Sequence, residues 1–281
     1  MAEQFIVHFW GVRGSIPCPG PDTVRYGGNT PCVAMRAGGE HLIFDGGTGL
    51  RMLGDHLRGR DDLRLTLFFS HIHWDHIQGF PFFVPAFTPG NRLRIYGPSV
   101  GSAGIEQHLT EQMRHPNFPV PLVRMGAELS FRNVAAGDEL EIGDVRVKTA
   151  ALNHPGGALG YRVAWRGCIV TYISDTEHPE TGFDANVLEL AADADVCIYD
   201  ATYTDEEYRQ GHVGWGHSTW QEAVRVAQRA QVKRLVLFHH DPSHSDAFLD
   251  EIGELAGGRS PNTDVAREGL TIRLSPKDRT V

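Results

Sequence analysis

The chain is poor in cysteine: Cys18, Cys32, Cys168 and Cys197 are the only four among 281 residues, and none forms a CxxC pair. That argues against a disulfide framework and for free thiols. Cys168 and Cys197 lie in apolar, strand-like runs, where a thiol behaves as a small core residue. A basic excess is also missing. Lys and Arg number 26 against 35 Asp and Glu, a net charge of -9. Proteins that grip long polyanions carry the opposite balance, so extended DNA or RNA is not an expected partner. A small anion can still be held by local positive charge, metal ions included. No apolar run approaches the length of a membrane span. Met1-Ala2-Glu3-Gln4 lacks a basic region followed by an apolar stretch, so no signal peptide is expected and a soluble, cytoplasmic protein is. No repeat, low-complexity tract or linker interrupts the sequence. With 41% hydrophobic and 22% charged residues, one globular domain over 1–281 is expected.

What is present is strand-rich. Apolar and alternating runs predict strands over 4–10, 32–37, 41–45, 63–69, 92–96, 128–134, 145–152, 159–165, 168–174, 196–199, 234–238 and 270–274. Helices are predicted over 50–57, 104–113, after Phe183, over 219–230 and over 247–255. Gly38-Gly39 signals a hairpin, and Ser218 with Gln221 reads as a capping box. Gly11 to Gly28 is a Gly/Pro-rich loop in which Arg13 is a candidate pocket wall. The loop holding Phe80, Pro81, Phe82, Phe83, Pro85 and Phe87 reads as either core cover or a lid. Strands followed by helix–strand alternation suggest two sheets covered by helices.

The densest chemistry lies in Ser70-His71-Ile72-His73-Trp74-Asp75-His76. Three imidazoles and a carboxylate follow directly on the predicted strand 63–69. These donors suit Zn, Mn or Fe, and a hydrolytic site keeps coordination positions open for water. In an extended segment, residues two apart project to one side, so His71 and His73 can grip one ion. Asp75 and His76 follow the turn and can face a second. Further ligand-type residues fall at other strand ends: His154 after 145–152, Asp175 after 168–174, Asp200 after 196–199, and His239-His240 after 234–238. In layered α/β proteins, sites collect at that edge.

This pattern resembles the metallo-β-lactamase superfamily over nearly the whole chain, with HxHxDH as the specific signature. The resemblance implies an αββα sandwich. It implies that His71, His73 and His154 hold one metal, that Asp75, His76 and His239 hold another, and that Asp175 bridges. Within the superfamily, the RNase Z and cyclic-phosphodiesterase branch is the most similar. Ser174-Asp175-Thr176, Asp200-Ala201-Thr202, His217-Ser218-Thr219 and Leu237-Phe238-His239 resemble its SGDT, EAT, HST and LTH segments, with Asp replacing Glu in the second. There His217, supported by Asp200, would be a general acid, and Asp75 would also orient the nucleophile.

The departures matter. RNase Z enzymes often insert a long basic arm between the positions matching His154 and Asp175, where this chain has mostly two strands. The expected function is therefore a phosphodiesterase on a small substrate, a cyclic nucleotide or other cyclic phosphate. It would use two divalent ions, zinc first and manganese second, with a homodimer left open. A thioester or lactone hydrolase and a metal-holding sensor are the alternatives. Neighbouring strand residues face opposite ways, so one of His239 and His240 is a ligand. The match on Leu235 to Phe238 favours His239, with His240 and His244 behind it. Arg13, Asn153 and the Phe80 to Phe87 loop are expected to shape the pocket.

Overall fold

The computed structural model describes residues 4–276. In chain order the elements are β1 (Phe5–Gly11), β2 (Cys32–Ala37), β3 (Glu40–Phe44), α1 (Thr48–His56), β4 (Arg64–Phe68), α2 (Trp74–Ile77), α3 (Val84–Phe87), β5 (Arg92–Gly97), α4 (Ile105–Gln112), β6 (Glu128–Asn133), β7 (Glu139–Ile142) and β8 (Val145–Leu152). There follow β9 (Ala158–Trp165), β10 (Cys168–Ile173), α5 (Ala185–Ala191), β11 (Val196–Asp200), α6 (Asp205–Glu207), α7 (Trp220–Arg229), β12 (Leu235–Phe238), α8 (Asp246–Arg259), β13 (Thr263–Val265) and β14 (Thr271–Leu274).

The strands form two seven-stranded mixed sheets, ordered β14-β1-β2-β3-β4-β5-β6 and β13-β12-β11-β10-β9-β8-β7. β3 to β6 are mutually parallel, as are β10 to β13. β11 and β12 are buried at every residue, as a parallel strand covered on both faces must be. β1 instead alternates buried and half-buried positions.

Phe5, Phe9, Phe44, Phe68, Tyr161, Trp165, Tyr172 and Phe238 fill the space between the sheets. A second apolar layer joins the other sheet to α5, α7 and α8 through residues such as Trp220, Leu190 and Leu249. A third joins the first sheet to the helices between β3 and β6. The architecture is the expected αββα sandwich. Among the described residues no helix is long and apolar enough to cross a membrane. All four cysteines are free, and Cys32, Cys168 and Cys197 are buried.

Several local expectations are corrected. β7 and β13 were not predicted; they are short edge strands whose pairing comes from neighbours rather than from their own pattern. The His cluster contains one helical turn, α2. The Phe-rich segment is core cover: Phe80, Phe83 and Ala86 are buried in the outer layer and only Phe82 faces out. The cap of α7 is Thr219, not Ser218. Its hydroxyl accepts from the Glu222 amide at 3.1 Å and donates to Asp205 at 2.7 Å. Ser218 is fully buried and its hydroxyl instead meets His178 Nδ1 at 3.1 Å. Thr219→Ala is therefore expected to lower stability by about 1 kcal/mol, the usual worth of a cap. A shift in denaturant midpoint checks this, and an unchanged midpoint counts against the cap.

Candidate metal centre

The site forms where the strand ends of both sheets meet. Asp45, Asp175 and His239 each follow a strand and have φ of 59°, 58° and 63°. This left-handed conformation is uncommon outside glycine and is kept only where the surroundings enforce it. At each point the chain turns sharply instead of extending the strand. Glycine opens the remaining space. A Cβ on Gly14 would lie 2.4 Å from the His239 ring, and one on Gly216 would lie 2.4 Å from His154 Nδ1.

Two groups of donors result. His71, His73 and His154 bring one ligand atom each to a common point, and Asp75, His76, Asp175 and His239 do the same beside it. Asp175 joins them. Its Oδ1 lies 3.2 Å from His76 Nε2 and 3.3 Å from His239 Nε2, while its Oδ2 lies 3.7 Å from His71 Nε2 and 3.8 Å from His154 Nε2. In the second group Asp75 Oδ2 is 3.2 Å from His76 Nε2 and 3.3 Å from His239 Nε2. In the first, His154 Nε2 is 3.1 Å from His73 Nδ1.

The far side of several rings is pinned, which fixes the tautomer. His76 Nδ1 donates to Asp45 Oδ2 at 2.7 Å, and His154 Nδ1 donates to the Gly216 carbonyl at 2.8 Å. Thr202 Oγ1 donates to Asp200 at 2.7 Å and stands 3.1 Å from His239 Nδ1, from which it can accept. The Nε2 lone pairs of His76 and His239 then converge on the carboxylates of Asp75 and Asp175. Such an arrangement repels itself unless positive charge lies between. The electrostatics agree. Burial works against a charged His76, yet Asp175, Asp75 and Asp45 outweigh it and raise its pKa well above the ordinary value. Burial, and then His76, hold His71 well below the ordinary value, so its ring stays neutral. Its Nε2 is buried with no hydrogen-bond partner. A neutral imidazole with an orphaned lone pair is what a metal ligand requires. The donor set fits divalent metal ions.

Beside this cluster His217 Nδ1 donates to Asp200 Oδ2 at 3.0 Å. Asp200 is fully buried and also accepts from the amides of Thr176 and Thr202. Burial disfavours a charged His217, but Asp200 more than offsets it, and its pKa is pushed up to about 9. The ring stacks on His239 with centroids 4.9 Å apart.

Other expected residues lie elsewhere. His240 donates to the Ala266 carbonyl and its pKa is depressed to about 3 by burial; of the doublet, His239 joins the cluster. His244 pairs with Glu207 at 2.9 Å. Arg13 is no pocket wall. It is fully buried, and its guanidinium donates to the carbonyls of Gly27, Asp241 and His244, clamping the loop after β12. Asn153 donates to the Glu177 carbonyl and ties two site loops together. Asp45 was missed as a site residue. It accepts from Ser70, His76 and Tyr172 and is fully enclosed. Its signal was present in the sequence: a carboxylate at a strand end, like Asp175 and Asp200.

The layered fold and this donor cluster define a metal-dependent hydrolase of the metallo-β-lactamase fold. Residues 42–240, more than half the chain, match the β-lactamase superfamily domain, and the chain belongs to that superfamily. A Ribonuclease Z of Gemmatimonas aurantiaca is 27% identical over 320 residues, covering 96% of each chain. The metallo-β-lactamase fold protein YhfI of Bacillus subtilis superposes with a TM-score of 0.73 at 19% identity, covering 97% of this chain and all of that one. A diphosphatase of the PhnP family gives 0.70 at 16% identity, with 97% and 98% covered. Zinc-bound PqqB of Methylobacterium extorquens gives 0.72 at 15% identity, with 96% and 100% covered.

Asp45→Ala should weaken metal binding by about 10–100-fold, the usual effect of removing a partner that orients a ligand. Metal titration monitored by calorimetry reads this. Unaltered affinity in a folded variant would deny Asp45 that role.

Proposed function

We propose that this chain is a phosphodiesterase acting on a small phosphodiester, with a cyclic nucleotide or another cyclic phosphate preferred. His71, His73 and His154 would hold one divalent ion and Asp75, His76 and His239 the other, with Asp175 placed between the two donor groups. Zinc is the first choice and manganese the second. When bound, such a pair supplies a water-derived nucleophile near neutral pH and neutralises charge on the phosphoryl oxygens. The observation that carries the reading is the buried His217–Asp200 pair beside the donor cluster. With Nδ1 committed to Asp200, Nε2 is the atom that delivers a proton to the departing alkoxide. Asp200 keeps the ring oriented and charged. Asp75 is itself fixed by the Ser15 amide at 2.8 Å, which lets it orient a nucleophile while it ligates.

The small substrate is supported by what the chain leaves out. β9 and β10 form a tight hairpin, Trp165 pairing with Cys168, in the span where a long basic arm would sit. The alignment with the Gemmatimonas relative runs over 320 residues against 281 here, so that relative carries segments this chain lacks. A nucleotide is supported by two tryptophans at the rim. Trp74 follows His73 and is 80% exposed; Trp215, two residues before His217, is 58% exposed. Each offers a face on which a base can stack.

A substrate panel after chelation and metal add-back tests the proposal, using bis-p-nitrophenyl phosphate, cyclic nucleotides and S-lactoylglutathione. Close to two ions per chain and metal-dependent turnover of the diesters are expected. Turnover of the thioester alone points to the glyoxalase-like alternative, and turnover of none points to a metal-holding sensor.

His217→Ala should keep its metal and lose roughly 10²–10⁴-fold in turnover, the range for a positioned general acid. The loss should be largest for cyclic nucleotides, whose alkoxide needs the proton, and smallest for aryl diesters, whose phenolate does not. Equal losses on both would remove His217 from the acid role.

A further inference from the structure

A second cavity lies away from the donor cluster. A cavity of about 390 Å³ opens on the outer face of the first sheet, between β14, β1, β2 and β3 and the C-terminal end of α1. That is within the size range of small-molecule sites, ~300–1,000 Å³. It is lined by Arg36, Arg60, Arg273, His8, His41 and Trp10, with His56 at its edge. Among the described residues no carboxylate lines it.

The sheet register gathers this charge on one face, with Arg36 and Arg273 at exposed positions. Ile6 pairs with Arg273 on one side and Arg36 on the other, and Arg36 pairs with His41. Four outward positions in one row thus carry two guanidiniums and an imidazole. Arg273 and Arg36 flank Ile6 on one face of the sheet, and His41 stands beside Arg36, so positive charge is gathered along this row. No ion pair or side-chain hydrogen bond relieves Arg36, Arg60 or Arg273 among the described residues. Glu40, next to His41 in the chain, pairs instead with Arg94 at 3.0 Å. Burial, then flanking Arg36 and Arg60, lower the His41 pKa, and burial, then His56 and Arg273, lower that of His8. His56 and Arg60 could be excused by the helix dipole at the end of α1. Arg36 and Arg273 stand on strands and have no such excuse. Trp10 lies between His8 and His56, tilted against both rings with centroids at 4.5 and 5.2 Å, and its Nε1 is buried without an acceptor. All this occurs in a chain whose net charge is -9.

We propose that this cavity binds a small phosphate-bearing ligand of the nucleoside diphosphate class. The guanidiniums of Arg36, Arg60 and Arg273 take the phosphates through forked hydrogen bonds, for which a lysine is a poor substitute. The apolar wall of Ile6, Ala34 and Trp10 faces the uncharged part. The site lies on the far side of α1 from the metal centre, since the N-terminal end of that helix, not its C-terminal end, faces the strand-end loops.

Calorimetry with ADP tests this on the metal-loaded protein, on the same protein after chelation, and on Arg36→Ala, Arg36→Lys and the Arg36→Ala/Arg273→Ala double variant. One ADP per chain is expected, with binding retained after chelation. Arg36→Ala should weaken it by about tenfold or more, the effect of losing one charged hydrogen-bond partner. Arg36→Lys should recover part of the loss, and the double variant should show none of the binding. Circular dichroism and unchanged turnover of bis-p-nitrophenyl phosphate confirm that the variants are folded. Binding that disappears on chelation, or survives in the double variant, places ADP elsewhere and overturns the proposal. Arginine-dependent binding of single-stranded RNA without binding of ADP overturns it in favour of a nucleic-acid surface. Because the readout is binding rather than turnover, its failure is separate from any failure of the phosphodiesterase reading.

Discussion

The structure depends on keeping lone pairs together that would otherwise repel. Asp175 turns one oxygen toward His76 and His239 and the other toward His71 and His154. Asp75 adds a second carboxylate to the first of these groups. Nothing in that cluster is stable as bare donors; it requires cations or protons at its centre. The surrounding protein is arranged to hold the donors in place despite this. Sharp left-handed turns at Asp45, Asp175 and His239 set the chain direction. Bare glycines at 14 and 216 let His239 and His154 approach.

The two sheets supply the rigidity that such a cluster needs. Parallel strands β3 to β6 and β10 to β13 run toward the same edge, so their C-terminal loops meet there. Asp45 shows how the core and the site are one construction. Its carboxylate sits at the end of β3, accepts the Tyr172 hydroxyl from the opposite sheet, and orients His76. Asp200 does the same on the other side. It accepts from two backbone amides, holds His217 directly and reaches His239 through Thr202. These buried carboxylates are tolerable because every one is hydrogen-bonded to excess.

Charge is distributed unevenly over the molecule. The total is strongly acidic, yet two places concentrate positive character or demand it. The metal centre demands it at carboxylates facing imidazole lone pairs. The outer face of the first sheet presents it, as Arg273, Arg36 and His41 in one row that Ile6 interrupts. A net charge describes neither, because an electrostatic site is defined within a Debye length of ~8–10 Å.

By itself the sequence carried twelve of the fourteen strands, all but the short edge strands β7 and β13, together with the αββα class and the donor-type residues at strand ends. Its apolar runs are long enough to be strands, and HxHxDH packs four donors beyond one of them. Ligand-type residues at successive strand ends, His154, Asp175, Asp200 and His239, were legible for the same reason. The tertiary structure decided what depends on distance across the chain. It brought His239 rather than His240 to the donors, because the backbone turns at φ 63° just there. It withdrew Arg13 from the pocket and buried it under the loop after β12. It made Asp45 a partner of His76, 31 residues away, and aligned Arg36 with Arg273, which lie at opposite ends of the sequence. Local pattern fixes which face a side chain takes; only the pairing of strands and the packing of sheets fixes what it meets.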